Sequence, residues 1–223
     1  MIVGETKTRH IYKLIKRALL EGSLIPGEKL VVARIANSYN VSAIPVREAC
    51  SRLEAEGLLT IVPHRGIYVK EIETELLRER FPIRAVLEGF AIRLATPRLQ
   101  AQDLRRLRRL TNKMDEVIKA EEYSEMGRLN YEFHMAIYRG CKNECLVEVI
   151  DELWQKTIIA RLIFNLVPER ASTSNLEHKR IIEALENREE REAERLIIKQ
   201  NERTLKLLIK HFEKEGEKKT GLI

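Results

Sequence analysis

Apolar residues recur along most of this chain at helical spacing, and one short stretch breaks the period. Ile11, Leu14, Ile15, Ala18 and Leu19 form a first stripe, capped by Thr6 or Thr8 and ended by Gly22 and the turn Ile25-Pro26-Gly27. Val31, Ala33, Ile35 and Ala36 make a short second helix, closed by the polar turn Ser38-Tyr39-Asn40. A third helix opens at Ser42 and turns Val46, Ala49, Cys50 and Leu53 inward. After Gly57 the pattern changes. Leu58 to Val62 and Ile67 to Val69 are β-rich runs flanking the basic turn Pro63-His64-Arg65-Gly66. Helix, tight turn, helix and a two-stranded ribbon together predict a winged helix-turn-helix.

Lys70 to Glu79 reads as a charged connector, and everything beyond it as helix. Ile83, Leu87, Phe90, Ala91 and Leu94 predict one inward stripe, with Pro82 near the helix start and Thr96-Pro97 at its stop. Leu99 to Ala120 turns Leu104, Leu107, Leu110, Met114 and Val117 inward and keeps Arg105, Arg106, Arg108 and Arg109 on a wet face. Further helices are predicted over 123–138, 144–166, 175–185 and 190–212. The predicted fold is mainly α: a winged helix-turn-helix over 1–70, a linker or the start of the first bundle helix over 71–79, an all-helical bundle over 80–215 and a charged tail over 216–223.

Composition narrows the class. With 223 residues, 44% of them apolar and 33% charged, the chain can bury a sizeable core and is not disordered. No apolar run approaches the roughly 18 residues of a membrane span, and no signal peptide opens the chain, so a cytoplasmic protein with no membrane partner is expected. Cys50, Cys141 and Cys145 lack zinc-motif spacing and read as reduced thiols. The net charge of +6 is unevenly placed. Residues 1–70 carry 11 Lys/Arg against 6 Asp/Glu, the remainder 29 against 28. An excess confined to the winged helix suits a phosphate-binding surface.

The segments Pro26 to Leu30, Asn40 to Cys50 and Leu53 to Val69 resemble the DNA-binding domain of the GntR family of bacterial transcription regulators. The resemblance implies that the recognition-helix start and the wing tip contact operator DNA. Ser42 then reaches a phosphate or base edge, and Arg47 either pairs with guanine or clamps a phosphate. Arg52 lies on the outer side, where it is either a contact or solvated. At the wing tip, His64, Arg65 and Gly66 approach the minor groove. Ala33 and Ala43 stand where the family often has arginines, so two usual contacts are absent.

Four polar residues interrupt apolar stripes in the bundle: Asn130 and His134 on one helix, His178 on another, Gln200 on a third. Buried polar atoms need partners, and facing bundle helices are a usual place for a ligand or metal site. Pro82 to Glu88, Asn130 to His134, Gly140 to Asn143 and Glu177 to Ile182 resemble the all-helical FCD ligand-binding domain that follows the DNA-binding domain in one GntR subfamily. In that family an aspartate and three histidines hold a divalent metal, zinc or nickel, above which a small organic acid sits. Position by position these become Asn130, His134, His178 and Gln200. His134 and His178 remain as metal ligands, with Asn130 and Gln200 as weak ones. The alternative is that all four hydrogen-bond the effector directly. Arg84 either receives an effector carboxylate or pairs with Glu88 four residues on. Arg161, on the stripe Leu153, Trp154, Ile158 and Leu162, either lines the pocket or reaches solvent.

The expected function is that of a homodimeric transcription regulator, a repressor more often than an activator in this family, whose helical effector-binding and dimerisation domain over 80–215 senses a small carboxylate. Two other classes compete. A metal-dependent enzyme in the bundle would need an HExxH or paired ExxH motif, and neither is present. A winged-helix adaptor for a protein partner would bind with little dependence on salt, whereas phosphate contacts give a steep one.

Overall fold

The computed structural model describes residues 6–20, 23–71, 73–157 and 163–220. The chain divides into two compact units, Met1–Ile72 and Glu73–Ile223.

In the first unit, α1 (Lys7–Leu20) begins where the Thr6 hydroxyl accepts from the Arg9 amide at 3.3 Å. It buries Ile11, Ile15 and Leu19. Gly22, expected to end it, lies outside the described residues. The helix-turn-helix follows as α2 (Val32–Ser38) and α3 (Ala43–Ala55). Between them Asn40 takes the left-handed conformation, φ 49°, which asparagine tolerates better than most residues. Val46, Ala49, Cys50 and Leu53 are buried as their period requires. Burial pushes the Cys50 thiol up to about 11, so it stays protonated and unreactive.

The expected ribbon forms as β2 (Leu59–Val62) and β3 (Gly66–Val69), paired antiparallel with Leu59 opposite Val69 and Val62 opposite Gly66. The sheet has a third strand that the pattern did not reveal: β1 (Lys29–Leu30) pairs antiparallel with β3, in the order β1-β3-β2. Two residues are too few to show a period of two, and it is the ladder to Ile67 and Tyr68 that makes them a strand.

The second unit is a bundle of seven helices among its described residues. They are α4 (Thr74–Ala95), α5 (Ala101–Lys119), α6 (Tyr123–Arg139), α7 (Glu144–Lys156), α8 (Ile163–Leu166), α9 (Glu169–Glu186) and α10 (Glu190–Thr220). Several boundaries differ from expectation. Residues read as connector form the first turns of α4, and Pro82 sits inside that helix rather than at its start. The single predicted helix over 144–166 is two helices, with residues 158–162 outside the description. α9 starts six residues before Asn175, and α10 runs on through most of the predicted tail.

The most consequential correction concerns the facing of α4. Of the stripe expected inward, Ile83 is 52% and Phe90 39% exposed, and Val86 beside them is 66% exposed. Ala91 of that stripe is buried as expected, but the rest of the buried face is Leu77, Phe81, Arg84, Ala85, Glu88, Gly89, Ile92 and Ala95. A buried arginine and glutamate on that face disguise it as the wet side. No described helix is long and apolar enough to cross a membrane.

Candidate functional site

The α3 start presents an exposed Ser42, Ala43 and Ile44, with Arg47 and Arg52 exposed further along. Ser42 has N-cap geometry, yet its side chain makes no capping hydrogen bond, so the hydroxyl is not committed to holding the helix. Ile44, 67% exposed, was missed as a candidate because its type suggests core. An apolar side chain there has the chemistry to meet a thymine methyl. At the wing tip His64 and Arg65 are exposed, with φ 60° at His64 and 126° at Gly66. A Cβ at Gly66 would stand 2.8 Å from Lys29 Cε, the end of a flexible side chain that can swing aside, so it is the backbone conformation that calls for glycine.

In the bundle the four interrupting residues are all buried: Asn130, His134, His178 and Gln200. Asn130, His134 and Gln200 line one partly open cavity of about 30 Å³, room for about one or two waters. Its wall is completed by α4, α7, α8 and α9. His178 stands behind His134, their Nε2 atoms 3.3 Å apart. Arg161 lies outside the described residues.

A buried carboxylate organises one side of the cavity. Glu88 is wholly buried and accepts from Arg84 Nε at 2.9 Å, Trp154 Nε1 at 2.8 Å, the Tyr138 hydroxyl at 2.8 Å and Asn201 Nδ2 at 2.9 Å. Burial pushes its pKa up, but Arg84 and the hydrogen bonds from Asn201 and Tyr138 outweigh that and leave it below the usual value. Arg84 thus realises the pairing with Glu88. It also donates to the Thr157 hydroxyl at 2.8 Å and is sandwiched between Phe81 and Trp154, its guanidinium carbon 4.8 and 4.2 Å from the ring centres.

The network fixes the protons on both imidazoles. Tyr138 gives its only proton to Glu88, so its oxygen accepts from His134 Nδ1–H at 3.1 Å. His134 Nε2 is then a lone pair and accepts from His178 Nε2–H, leaving His178 Nδ1 buried without a hydrogen-bond partner. Both rings are neutral. Burial takes His134 down to about 4, and burial with the nearby His134 and Arg170 takes His178 well below its ordinary value.

The opposite wall holds a residue that the pattern did not single out. Arg170, at the start of α9, is 3% exposed. Its Nη2 donates to Glu177 Oε2 at 2.7 Å and to the Thr204 hydroxyl at 3.2 Å. Among the described residues its Nε and Nη1 have no hydrogen-bond partner. Leaving such a buried donor unmet costs about 1–3 kcal/mol, more when charged. The polar run Glu169 to Asn175 carries no apolar stripe, so nothing in it marked Arg170 as interior.

The metal implied by the FCD resemblance meets a donor set that does not fit it. A separation of 3.3 Å between imidazole nitrogens would suit two ligands of one tetrahedral ion, so the remaining donors decide. Asn130 and Gln200 are neutral amides, and the one carboxylate on the cavity wall, Glu88, is engaged by four donors. Among the described residues no three His, Cys, Asp or Glu side chains gather where they could hold a metal ion.

The family model for bacterial regulatory proteins of the gntR family matches residues 7–69, and that for the FCD domain matches residues 79–200. The chain belongs to the GntR family. It is a DNA-binding transcription regulator of the branch that carries an FCD domain. Among its relatives, the HTH-type transcriptional regulator McbR of Escherichia coli is 33% identical over 140 residues, 63% of this chain and 63% of that protein's length. The HTH-type transcriptional repressor GlaR of the same organism is 28% identical over 157 residues, 69% of this chain and 71% of that one. A solved structure of E. coli McbR/YncC superposes with a TM-score of 0.72 at 26% identity, covering 92% of this chain and all of the other.

Proposed function

We propose that the protein is a homodimeric repressor whose grip on its operator is set by a small carboxylate held in the bundle cavity. The observation that carries this reading is the cavity itself, a pocket with polar and cationic walls inside an otherwise apolar bundle. In the head, Ser42, Arg47 and Arg52 of α3 and His64, Arg65 and Gly66 of the wing meet the DNA. In the body, Arg84 holds one wall in place through Glu88, while Asn130, His134 and Gln200 offer hydrogen bonds to the ligand and His178 fixes the tautomer of His134. The exposed stripe Ile83, Val86 and Phe90 on α4 is the surface offered to a second copy, since an apolar row of that kind is usually covered in a working assembly. Repression follows the name that GlaR carries.

Coupling is reciprocal: an acid that loosens the operator complex binds less well to the DNA-bound protein. The test is retention of DNA from upstream of the protein's own coding region, titrated with small carboxylic acids at several salt concentrations. Affinity should fall steeply with salt and shift with at least one acid. Salt-insensitive retention would reject phosphate contacts, and indifference to every acid would reject the effector.

A further inference from the structure

We propose that Arg170 is the built-in cation of this cavity: in place of a metal ion, its guanidinium receives the oxyanion of a small carboxylic acid. The inference rests on the effector reading above and assigns the residue that does the holding.

Three observations converge on it. Arg170 lines the cavity, is almost wholly buried, and among the described residues leaves Nε and Nη1 without hydrogen-bond partners. These two donors lie on different edges of the guanidinium, so one incoming oxygen meets one of them and a second acceptor or a water meets the other. The local charge is also unbalanced. Glu177 accepts from Arg170 through one oxygen and from Arg203 through the other, at 2.7 Å each, so two guanidiniums share a single carboxylate. Elsewhere on the wall the charges cancel, Arg84 against Glu88, and both histidines are neutral. Arg203 is exposed and lies off the cavity, as Glu177 does, so the charged side chains lining it are Arg84 and Arg170 against Glu88, and a carboxylate at Arg170 supplies the complement.

The same charge explains the altered donor set. A dication placed between His134 and His178 would sit close to a guanidinium whose field already opposes protonation of both rings. Glu88 and Glu177 favour positive charge near His134, but both are engaged by arginines, and the amides at Asn130 and Gln200 are weak ligands for a dication. The amides suit an oxyanion instead, since each carries N–H donors, and among the described residues the Gln200 amide nitrogen makes a single long bond, 3.5 Å to the Ser174 hydroxyl. The cavity's small volume admits the acid's carboxylate end first.

The experiment uses the full chain. Melting temperature and calorimetric binding are measured with a panel of small mono- and dicarboxylic acids, each against its neutral amide, before and after dialysis against EDTA. An acid should bind where its amide does not, with the same affinity after EDTA treatment. Arg170→Met should weaken that binding at least about tenfold, and Arg170→Lys should retain part of it. Equal binding to wild type and Arg170→Met would overturn the assignment. So would an affinity that falls about tenfold on EDTA treatment and returns with zinc, an arm that needs no variant and so survives a misfolded one. If no acid binds the wild type, both this assignment and the effector reading fall. Binding that Arg170→Met abolishes, with DNA retention unmoved by the acid, would uphold the subsite and sink the effector reading alone.

Discussion

The head and the body of this protein place their working residues in opposite ways. In the head the candidate contacts lie on the outside of a small apolar core, within a few turns of one another in sequence: Ser42, Ile44 and Arg47 on α3, His64 and Arg65 on the wing. In the body they lie inside, drawn from six helices, and each must be satisfied by a residue far away in the chain. Glu88, for example, is met by Tyr138, Trp154 and Asn201. An exposed site can lose a side chain at little cost to the fold. A buried one cannot, because its polar groups hold each other out of water. Substitutions should therefore separate binding from stability in the head and confound them in the body.

The largest effect is expected at Glu88. Glu88→Ala removes one member of a buried pair and leaves Arg84 charged and uncompensated, at a cost of about 3–5 kcal/mol. Denaturant melts should show a loss of that order. The single tryptophan, Trp154, donates to Glu88, so its fluorescence reports the body alone. A loss under about 1 kcal/mol would mean that the site is far more hydrated than its burial indicates.

Acid should act on the body through the histidines. His134 titrates near 4 when folded and His178 well below its ordinary value, against 6.5 for a free imidazole. Their folded pKa values are depressed, so the unfolded chain binds protons first. Stability is full above about pH 6.5 and falls as the pH drops toward the folded value. Going from neutral to about pH 5.5 should cost about 1 kcal/mol from each ring, read by the same fluorescence. A flat profile across that range would show that one ring is already protonated, and would reverse the tautomer assignment.

In the head, Arg47→Ala or Arg65→Ala should each weaken operator binding by about 1–3 kcal/mol, roughly 5- to 150-fold, with the melt unchanged. If Arg47 reads a guanine, its loss should also relax the sequence preference. If it clamps a phosphate, binding should weaken uniformly and the salt dependence should flatten by about one unit.

The same contrast explains what could be read from residue order. The winged helix was legible because its signals are local: a cap, a turn, a recognition helix and a basic hairpin follow one another between Ser42 and Val69. β1 was not, since it is a strand only through its pairing with β3. In the body, interrupted stripes gave away Asn130, His134, His178 and Gln200, because each polar residue stands among apolar ones. Arg170 and Asn201 stayed hidden for the opposite reason, as polar residues among polar neighbours. The turn of α4 was misread from the same cause: with Arg84 and Glu88 on its inner face and Ile83, Val86 and Phe90 on its outer one, side-chain type points the wrong way. Only the long-range bonds to Glu88 settle which side is inside.

The smallest effects make the sharpest comparison, because one kind of substitution can be made at equivalent positions in both regions. Ser42 and Asn143 are both N-caps by backbone conformation, at the starts of α3 and α7. Asn143 does the work of a cap, its side-chain oxygen accepting from the Leu146 amide at 3.1 Å. Ser42 does not. Asn143→Ala should therefore cost about 1 kcal/mol of stability and leave operator affinity alone. Ser42→Ala should shift the melt by less than about 0.5 kcal/mol and, on the proposal that its hydroxyl meets the DNA, still weaken operator binding severalfold. Should Ser42→Ala instead destabilise the fold as Asn143→Ala does, the hydroxyl is holding the helix start in solution. The recognition helix would then make its contacts without it, through Arg47 and the exposed Ile44.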